Sequence, residues 1–336
     1  MASISPSYVA KRVLWALVTI YIVTTIIFIV PRLLPFDPMT EHLSQLESEG
    51  VYISGEDALR LINLFKKRFG LDQPLYVQYV KYLEQVFLHG DLGVSLAWFP
   101  LTVQELIIVR LPWSIALLSV SAILAWLGGV LLGALMTWSK KKYFNASAMA
   151  VAIFLSKFPP YLIAVVLVYL FIYLIPVFSL GVYQGPLYFS PEIIVKAISQ
   201  SILPALSIIL ASLGDYMMVM RSTLINVLGE DYIIFAKAKG LKDGRIMRQY
   251  AVKNAILPLL TSLILRLGGT VGGSLLVEGI FGYPGMGTLF WNAVQCNDFL
   301  VIQGVTVITT VSTVIASLII DLLLPIVDPR IQYGGK

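Results

Sequence analysis

The chain is expected to fold as an all-α, polytopic membrane protein with six transmembrane helices, and three observations carry that expectation. Of 336 residues, 58% are hydrophobic and only 13% charged, with mean hydropathy +0.84. A soluble domain cannot hide that much apolar surface. Six stretches reach the length that crosses a hydrocarbon core, about 20 apolar residues at about 1.5 Å of rise each. Basic residues gather at the ends of these stretches that would share one side of the membrane.

The spans are read at 12–34, 113–138, 145–175, 199–220, 255–278 and 300–325. In the first, Leu14 to Val30 is uncharged and follows Lys11 and Arg12, an arrangement shared with secretory signals. The run exceeds a signal's apolar core and no small-residue cleavage pattern follows, so it reads as a retained helix. The third span is longer than needed and contains Pro159 and Pro160, which predicts a kink or tilt. Lys11 and Arg12, Lys140 to Lys142, the stretch from Arg221 to Lys253, and Arg330 with Lys336 all fall on one side. The positive-inside rule makes that side cytoplasmic and places both termini there. The net charge of +5 then belongs to cytoplasmic loops rather than to a nucleic-acid surface. Asn145–Ala146–Ser147 becomes a cytoplasmic sequence instead of a glycosylation acceptor. With Cys296 the single cysteine, no intramolecular disulfide can form.

Three regions follow: residues 1–34 with the first span, an extracellular helical insertion over 35–111, and a core transmembrane region over 112–336. The insertion repeats apolar residues at helical spacing, first Leu61, Phe65 and Phe69, then Val80, Leu83 and Phe87. Both histidines, His42 and His89, lie in it and read as solvated. No zinc-protease motif, Cys/His cluster, nucleophile elbow or phosphate-cradling glycine loop occurs. The chain therefore reads as no enzyme, with no metal and no cofactor of its own. If ATP drives it, ATP and Mg are bound by another chain.

Charges within apolar helices are costly and usually face a bundle interior, a partner or a wet cavity. Lys157, Asp215, Arg266 and Asp321 are such charges. Asp215 lies roughly 9 Å and Arg266 roughly 12 Å from the cytoplasmic boundary by helical rise. These matched depths predict an ion pair, either holding the bundle or contacting a substrate. Lys157, beside the kink, is a candidate for a wet pathway, for snorkelling or for an unseen partner; Asp321 reads as structural. In "GGTVGG", Gly268 and Gly272, and Gly269 and Gly273, stand four apart, so both pairs lie near one helix face. Such a face packs helices closely, within this chain or against a partner chain.

The segment 229–254 is too polar to span and too regular for a linker. Glu230 and Asp231 suit a helix N-terminus, and Gly240 a stop. Tyr232, Phe235, Ala236 and Lys239 form a stripe at three-to-four spacing. Asp243 is placed to cap a second helix in which Met247, Tyr250, Ala251 and Asn254 share a face, and Pro258 opens the fifth span. These helices could rest on lipid headgroups or dock into a partner's groove. The small Ala236, Ala238 and Gly240 favour docking.

The stretch "EDYIIFAKAKGLKDGRIMRQYAVKNAILP", from Glu230 to Pro258, resembles the cytoplasmic coupling segment of permease subunits of binding-protein-dependent ABC importers. "VEGIFGYPGMGTLFWNAVQCNDFLVIQG", "DLLLPIVDPRIQ", "KRVLWALVTIYIVTTIIFIVPRLLPFDP" and "GLDQPLYVQYVKYLEQVFLHGDLGVSL" extend the likeness over nearly the whole chain. It is nearest the dipeptide/oligopeptide/nickel group, and its large outer insertion is similar to the B-type permease. Two departures stand out. Of the general Glu-Ala-Ala pattern before Gly240 only Ala236 matches, Ile234 and Phe235 holding the other positions, and the interval to Leu257–Pro258 is long, as in the peptide subgroup. Phe36 stands where many relatives have glycine.

The resemblance implies a type I ABC importer permease fold in the cell membrane of a bacterium or archaeon. Two cytoplasmic ATPase subunits would receive the coupling helices, this chain contributing Glu230, Asp231, Tyr232, Phe235, Ala236, Ala238 and Gly240. A second homologous permease would pack alongside, with Gly268, Gly269, Gly272 and Gly273 a contact, and lipid would surround both. An extracellular binding protein would deliver a peptide, nickel or, as in some archaeal relatives, an oligosaccharide. Lys157, Asp215 and Arg266 would belong to the pathway or a buried charge network. Its chief rival is an ion-gradient-driven secondary transporter, which calls for inverted repeats that the sequence does not display. An intramembrane enzyme or a scaffold fits less well, lacking respectively catalytic residues and a need for buried charges.

Overall fold

In a computed structural model the structure describes residues 6–33, 72–139, 141–180, 183–186 and 190–327. Phe36, His42, the Leu61–Phe65–Phe69 stripe, Lys140, Arg330 and Lys336 lie outside them. The described residues are almost wholly helical, with one isolated bridge between Val94 and Thr102. Four helices are long and apolar enough to cross a membrane: α1 (Pro6–Leu33), α3 (Val103–Trp138), α6 (Pro191–Leu228) and α12 (Phe299–Val327). Between α1 and α3 comes α2 (Leu75–Glu84), extended by a wider turn over Gln85–His89.

The third and fifth expected spans are broken pairs. Helix α4 (Lys142–Lys157) and α5 (Pro160–Leu174) meet at 97°. Pro159 and Pro160 carry no N–H for a continuing helix, and Pro160 instead opens the next one. The expected kink is thus a corner. On the cytoplasm-assigned segment lie α7 (Asp231–Ala238) and α8 (Asp243–Ala255), and α8 meets α9 (Leu257–Gly268) at 43°. Pro258 sits in the first turn of α9, as the sequence indicates. The fifth span does not continue to 278 as one helix. It tightens to a 3₁₀ turn over Gly269–Gly272, breaks at Gly273, and resumes as α10 (Leu275–Phe281), followed by α11 (Met286–Gln295). Helix α3 starts at Val103, ahead of the expected 113, because Thr102 and Glu105 form a reciprocal capping box.

Two apolar clusters define the ends of the bundle. At one end Leu92, Val103 and Ile107 pack with Met286 and Leu289 of α11 and Val301 and Val305 of α12, with Ile27 of α1 alongside. At the other, Ala125 and Val130 of α3 meet Met220 and Leu224 of α6, Ile233 and Ala236 of α7, and Ala251, Ala255 and Leu259. Helices α1 and α12 run antiparallel: Gln303 Nε2 donates to the Ile27 carbonyl at 3.3 Å, and Arg12 pairs with Asp321 at 3.0 Å. The start of α1, the end of α12 and the helices α7 and α8 therefore occupy the same end. Much of α1 remains bare, with Leu14, Trp15, Leu17 and Ile26 exposed as a lipid-facing helix requires.

The most extensive seam joins α3 to α6. It depends on Gly129 and Gly133, a small-xxx-small pair that lets helix backbones touch in lipid. A Cβ at Gly133 would lie 2.6 Å from the Met217 carbonyl oxygen and 2.8 Å from Met220 Cβ. Backbone cannot yield as a side chain can, so Gly133→Leu is expected to destabilise the protein by about 1–3 kcal/mol or more. A thermal melt of the detergent-solubilised protein checks this; an unchanged midpoint would mean that the seam is not tight.

Helix α2 turns a different face inward than its sequence stripe indicates. Tyr79 and Tyr82 pack on Phe28 of α1 with ring centroids 5.2 Å apart, whereas Val80 and Phe87 are exposed. Aromatic contact with α1 outweighs the aliphatic periodicity. His89 is exposed.

Candidate coupling segment and pathway lining

Helix α7 is built from local signals. Glu230 precedes it in extended conformation and Asp231 occupies its first turn, where negative charge complements the dipole. It ends where Gly240 turns left-handed at φ +74°, with Gly240 N–H donating to the Lys237 carbonyl at 2.9 Å and Leu241 N–H to that of Ala236 at 3.3 Å. Glycine reaches that φ without a Cβ penalty. Ile233 and Ala236, three apart, root the helix in the inner cluster with Leu224, Ile246 and Leu259. The opposite face carries Asp231, Tyr232, Ile234, Phe235, Ala238 and Gly240, with Ile234 57% and Phe235 62% exposed.

This placement corrects one assignment. Ala236 is 4% exposed and faces the chain's own core, so its small size serves packing onto α8 and α9 rather than an open docking surface. The expected stripe divides, because Tyr232, Phe235 and Lys239 turn outward, Lys239 Nζ lying 4.6 Å from the Phe235 ring centre. Helix α8 supports α7 from below: Asn254 Nδ2 donates to the Tyr232 hydroxyl at 3.3 Å and to the Tyr250 carbonyl at 2.8 Å. Met247, Tyr250, Ala251 and Asn254 do share a partly or fully buried face. Asp243 is the first helical residue and makes no cap bond; Lys242 holds the cap position.

The expected Asp215–Arg266 ion pair is absent: no salt bridge joins the two, and both side chains are exposed. Matched depth sets height along the bundle but not direction around it. Asp215 shares its face of α6 with exposed Val219 and Ser222, while Met217, Met220 and Leu224 turn inward. Arg266 lines a cavity of about 340 Å³ with Pro160, Ile208, Gly269, Thr270 and Ser274. Lys157 ends α4 at the corner and is exposed. Asp321 is the partner of Arg12, a structural role.

The glycines of "GGTVGG" do not line one helix face, because the helix breaks across them. Gly272 packs inside the chain, where a Cβ would lie 2.8 Å from Thr309 of α12. Gly269 faces open space. Gly268 closes α9. Gly273 adopts φ +69°, and a Cβ there would lie 2.9 Å from a Glu278 carboxylate oxygen.

Glu278 reveals a site the sequence reading did not single out. It is fully buried, and its carboxylate accepts from Ser274 N–H at 2.9 Å, Ser114 hydroxyl at 2.9 Å and Gly287 N–H at 2.7 Å. Ser114 in turn accepts from Met286 N–H at 2.7 Å. Helices α3, α10 and α11 are thereby tied at one point. Asp298, also fully buried, does the same nearby. It accepts from Ser95 Oγ at 2.6 Å, Leu96 N–H at 2.8 Å and Ala97 N–H at 3.0 Å, and caps α12 through Val301 N–H at 3.2 Å. Acidic residues amid "VEGIFGYPGMG" and "QCNDFLV" were the available signal.

Long apolar helices, two of the spans broken, and a cavity lined by Arg266 define, among the described residues, an integral membrane protein. The chain belongs to the family of binding-protein-dependent transport system inner membrane components, whose model matches residues 129–333, and the N-terminal component model matches 6–117. It is therefore a multi-pass ABC transporter permease. It is 33% identical to the oligopeptide transport system permease protein AppB of Bacillus subtilis (strain 168) over 97% of this chain and 99% of that relative. Identity is 31% to the oligopeptide permease OppB of Haemophilus influenzae, with the same coverage. It is 29% to the glutathione permease GsiC of Salmonella paratyphi A, again over 97% and 99%.

Proposed function

We propose that this chain is one permease half of an ATP-driven peptide importer, crossing the membrane six times with both termini cytoplasmic. Each bent pair counts as one span in that topology. The end carrying α7 and α8 also carries Arg12, Lys141, Lys142, Lys237, Lys242, Arg245 and Lys253, as a cytoplasmic face should. The region between α1 and α3, residues 34–102, is the extracellular part that receives a substrate-loaded binding protein. A second homologous permease completes the pathway, and two ATPase subunits bind ATP and Mg, leaving this chain non-catalytic. Peptides are the substrate class because the relatives are named as oligopeptide and glutathione permeases.

The observation that carries the reading is the exposed apolar pair Ile234–Phe235 on a helix whose other face is bonded into the bundle. A docked ATPase would bury that pair, and its motion would pass through Ile233 and Ala236 to the base of α9. Phe235→Glu is expected to abolish ATP-driven uptake in the reconstituted transporter while the chain still inserts and folds. Even with Lys239 one turn away, desolvating the new carboxylate in an apolar docking groove costs several kcal/mol, ample to detach a short docking helix. Uptake and subunit co-purification are the measurements; a variant that transports normally with its ATPases bound would exclude α7 as the coupling element.

A further inference from the structure

The cavity at Arg266 sits where two spans are broken. Pro160, at the α4–α5 corner, lines one side, and Gly269, Thr270 and Gly273, at the end of α9, line another. Irregular backbone at membrane depth is tolerated where it lines a wet cavity, and broken helices at mid-depth mark substrate sites in transporters. By helical rise Arg266 stands roughly 12 Å above Pro258 in the first turn of α9, too deep to be a surface cation. A guanidinium at that depth cannot face lipid cheaply. It is the one charged side chain lining this cavity, and no described carboxylate lies within ion-pair distance of it. Hydroxyl-bearing Thr270 and Ser274 stand beside it.

We propose that Arg266, with Thr270 and Ser274 beside it, is a transient anchoring site for the carboxylate of a peptide crossing the pathway. The inference rests on the peptide-import reading above. A planar guanidinium matches a carboxylate with two parallel hydrogen bonds. Every unmodified peptide ends in that group whatever its side chains, so the contact holds substrate without reading its sequence. The cavity, about 340 Å³, is at the small end of ligand sites and suits a terminal residue rather than a whole peptide.

The test uses the complete transporter in liposomes, with its permease partner, ATPases and binding protein. Uptake of one peptide is compared with uptake of its C-terminally amidated form, each supplied as saturated binding protein so that the binding protein's own preference drops out. Wild type is expected to favour the free acid by about tenfold, the scale of one lost hydrogen bond to a charged group. Arg266→Gln is expected to bring the free acid down to the amide's rate, with subunit co-purification unchanged, and Arg266→Lys to restore part of the preference. Retained preference in Arg266→Gln would overturn the proposal, as would equal loss of both substrates with poor co-purification, which would mark Arg266 as a contact to the partner permease. Failure of wild type to import either form would instead refute the peptide-import reading itself.

Discussion

Replacing Glu278 by alanine is expected to destabilise the protein by about 3–5 kcal/mol, the scale of leaving three buried donors without an acceptor at about 1–3 kcal/mol each. The substitution removes the acceptor for Ser274 N–H, Ser114 hydroxyl and Gly287 N–H at once, in a place water does not reach. The glycines around it leave no easy repair. A Cβ at Gly287 would lie 2.7 Å from Leu275 Cα and 2.9 Å from the Glu278 carboxylate, so the cradle exists only because that backbone is bare. Glu278→Gln keeps the shape but turns an amide N–H₂ toward one of the N–H donors. Its expected loss is smaller, about 1–3 kcal/mol. Thermal melts in detergent, run on both variants, check the order; a Gln variant no more stable than the Ala variant would show that the full set of acceptors, not shape, holds the site.

Asp298→Ala is expected to cost a similar amount and to act on a different joint. Asp298 holds the Ser95–Ala97 loop to the start of α12 while capping that helix. Without it, Leu96 N–H is buried with no acceptor and α12 loses its cap, together about 3–5 kcal/mol. The loop before α3 should then become protease-sensitive before the bundle melts. Limited proteolysis between residues 90 and 102, compared with wild type, is the measurement, and simultaneous loss of loop and bundle would argue against a local joint. Both carboxylates belong to the end of the bundle opposite α7 and α8, so they brace that end alone.

Sequence reasoning reached what is set locally. The long apolar runs appear as α1, α3, α6 and α12, because crossing hydrocarbon imposes a length that composition alone satisfies. Helix α7 starts at Asp231 and turns at Gly240 as read, since dipole complementation and a left-handed glycine act within a few residues. Pro258 opens α9 for the same kind of reason. The Gly129–Gly133 pair is likewise legible in the sequence as two glycines four apart in an apolar span.

What escaped depends on partners far along the chain. The direction of Asp215 and Arg266 around their helices follows from which neighbours fill the interior, and no depth argument contains that information. Ala236 looked like an open surface because its smallness was read without Ile246, Ala251 and Leu259, which pack over it. The "GGTVGG" run looked like a helix face until Thr309 and Glu278 required a break there. By itself the sequence determined a helical membrane protein, the existence of its long apolar spans and the place of the short helix α7, because lipid and short-range caps act on neighbours in the chain. Only the tertiary structure decided the two broken spans' geometry, the inward turn of Ala236 and the bonding of Glu278 to Ser114 across three helices, because such contacts exist only once distant segments are brought together.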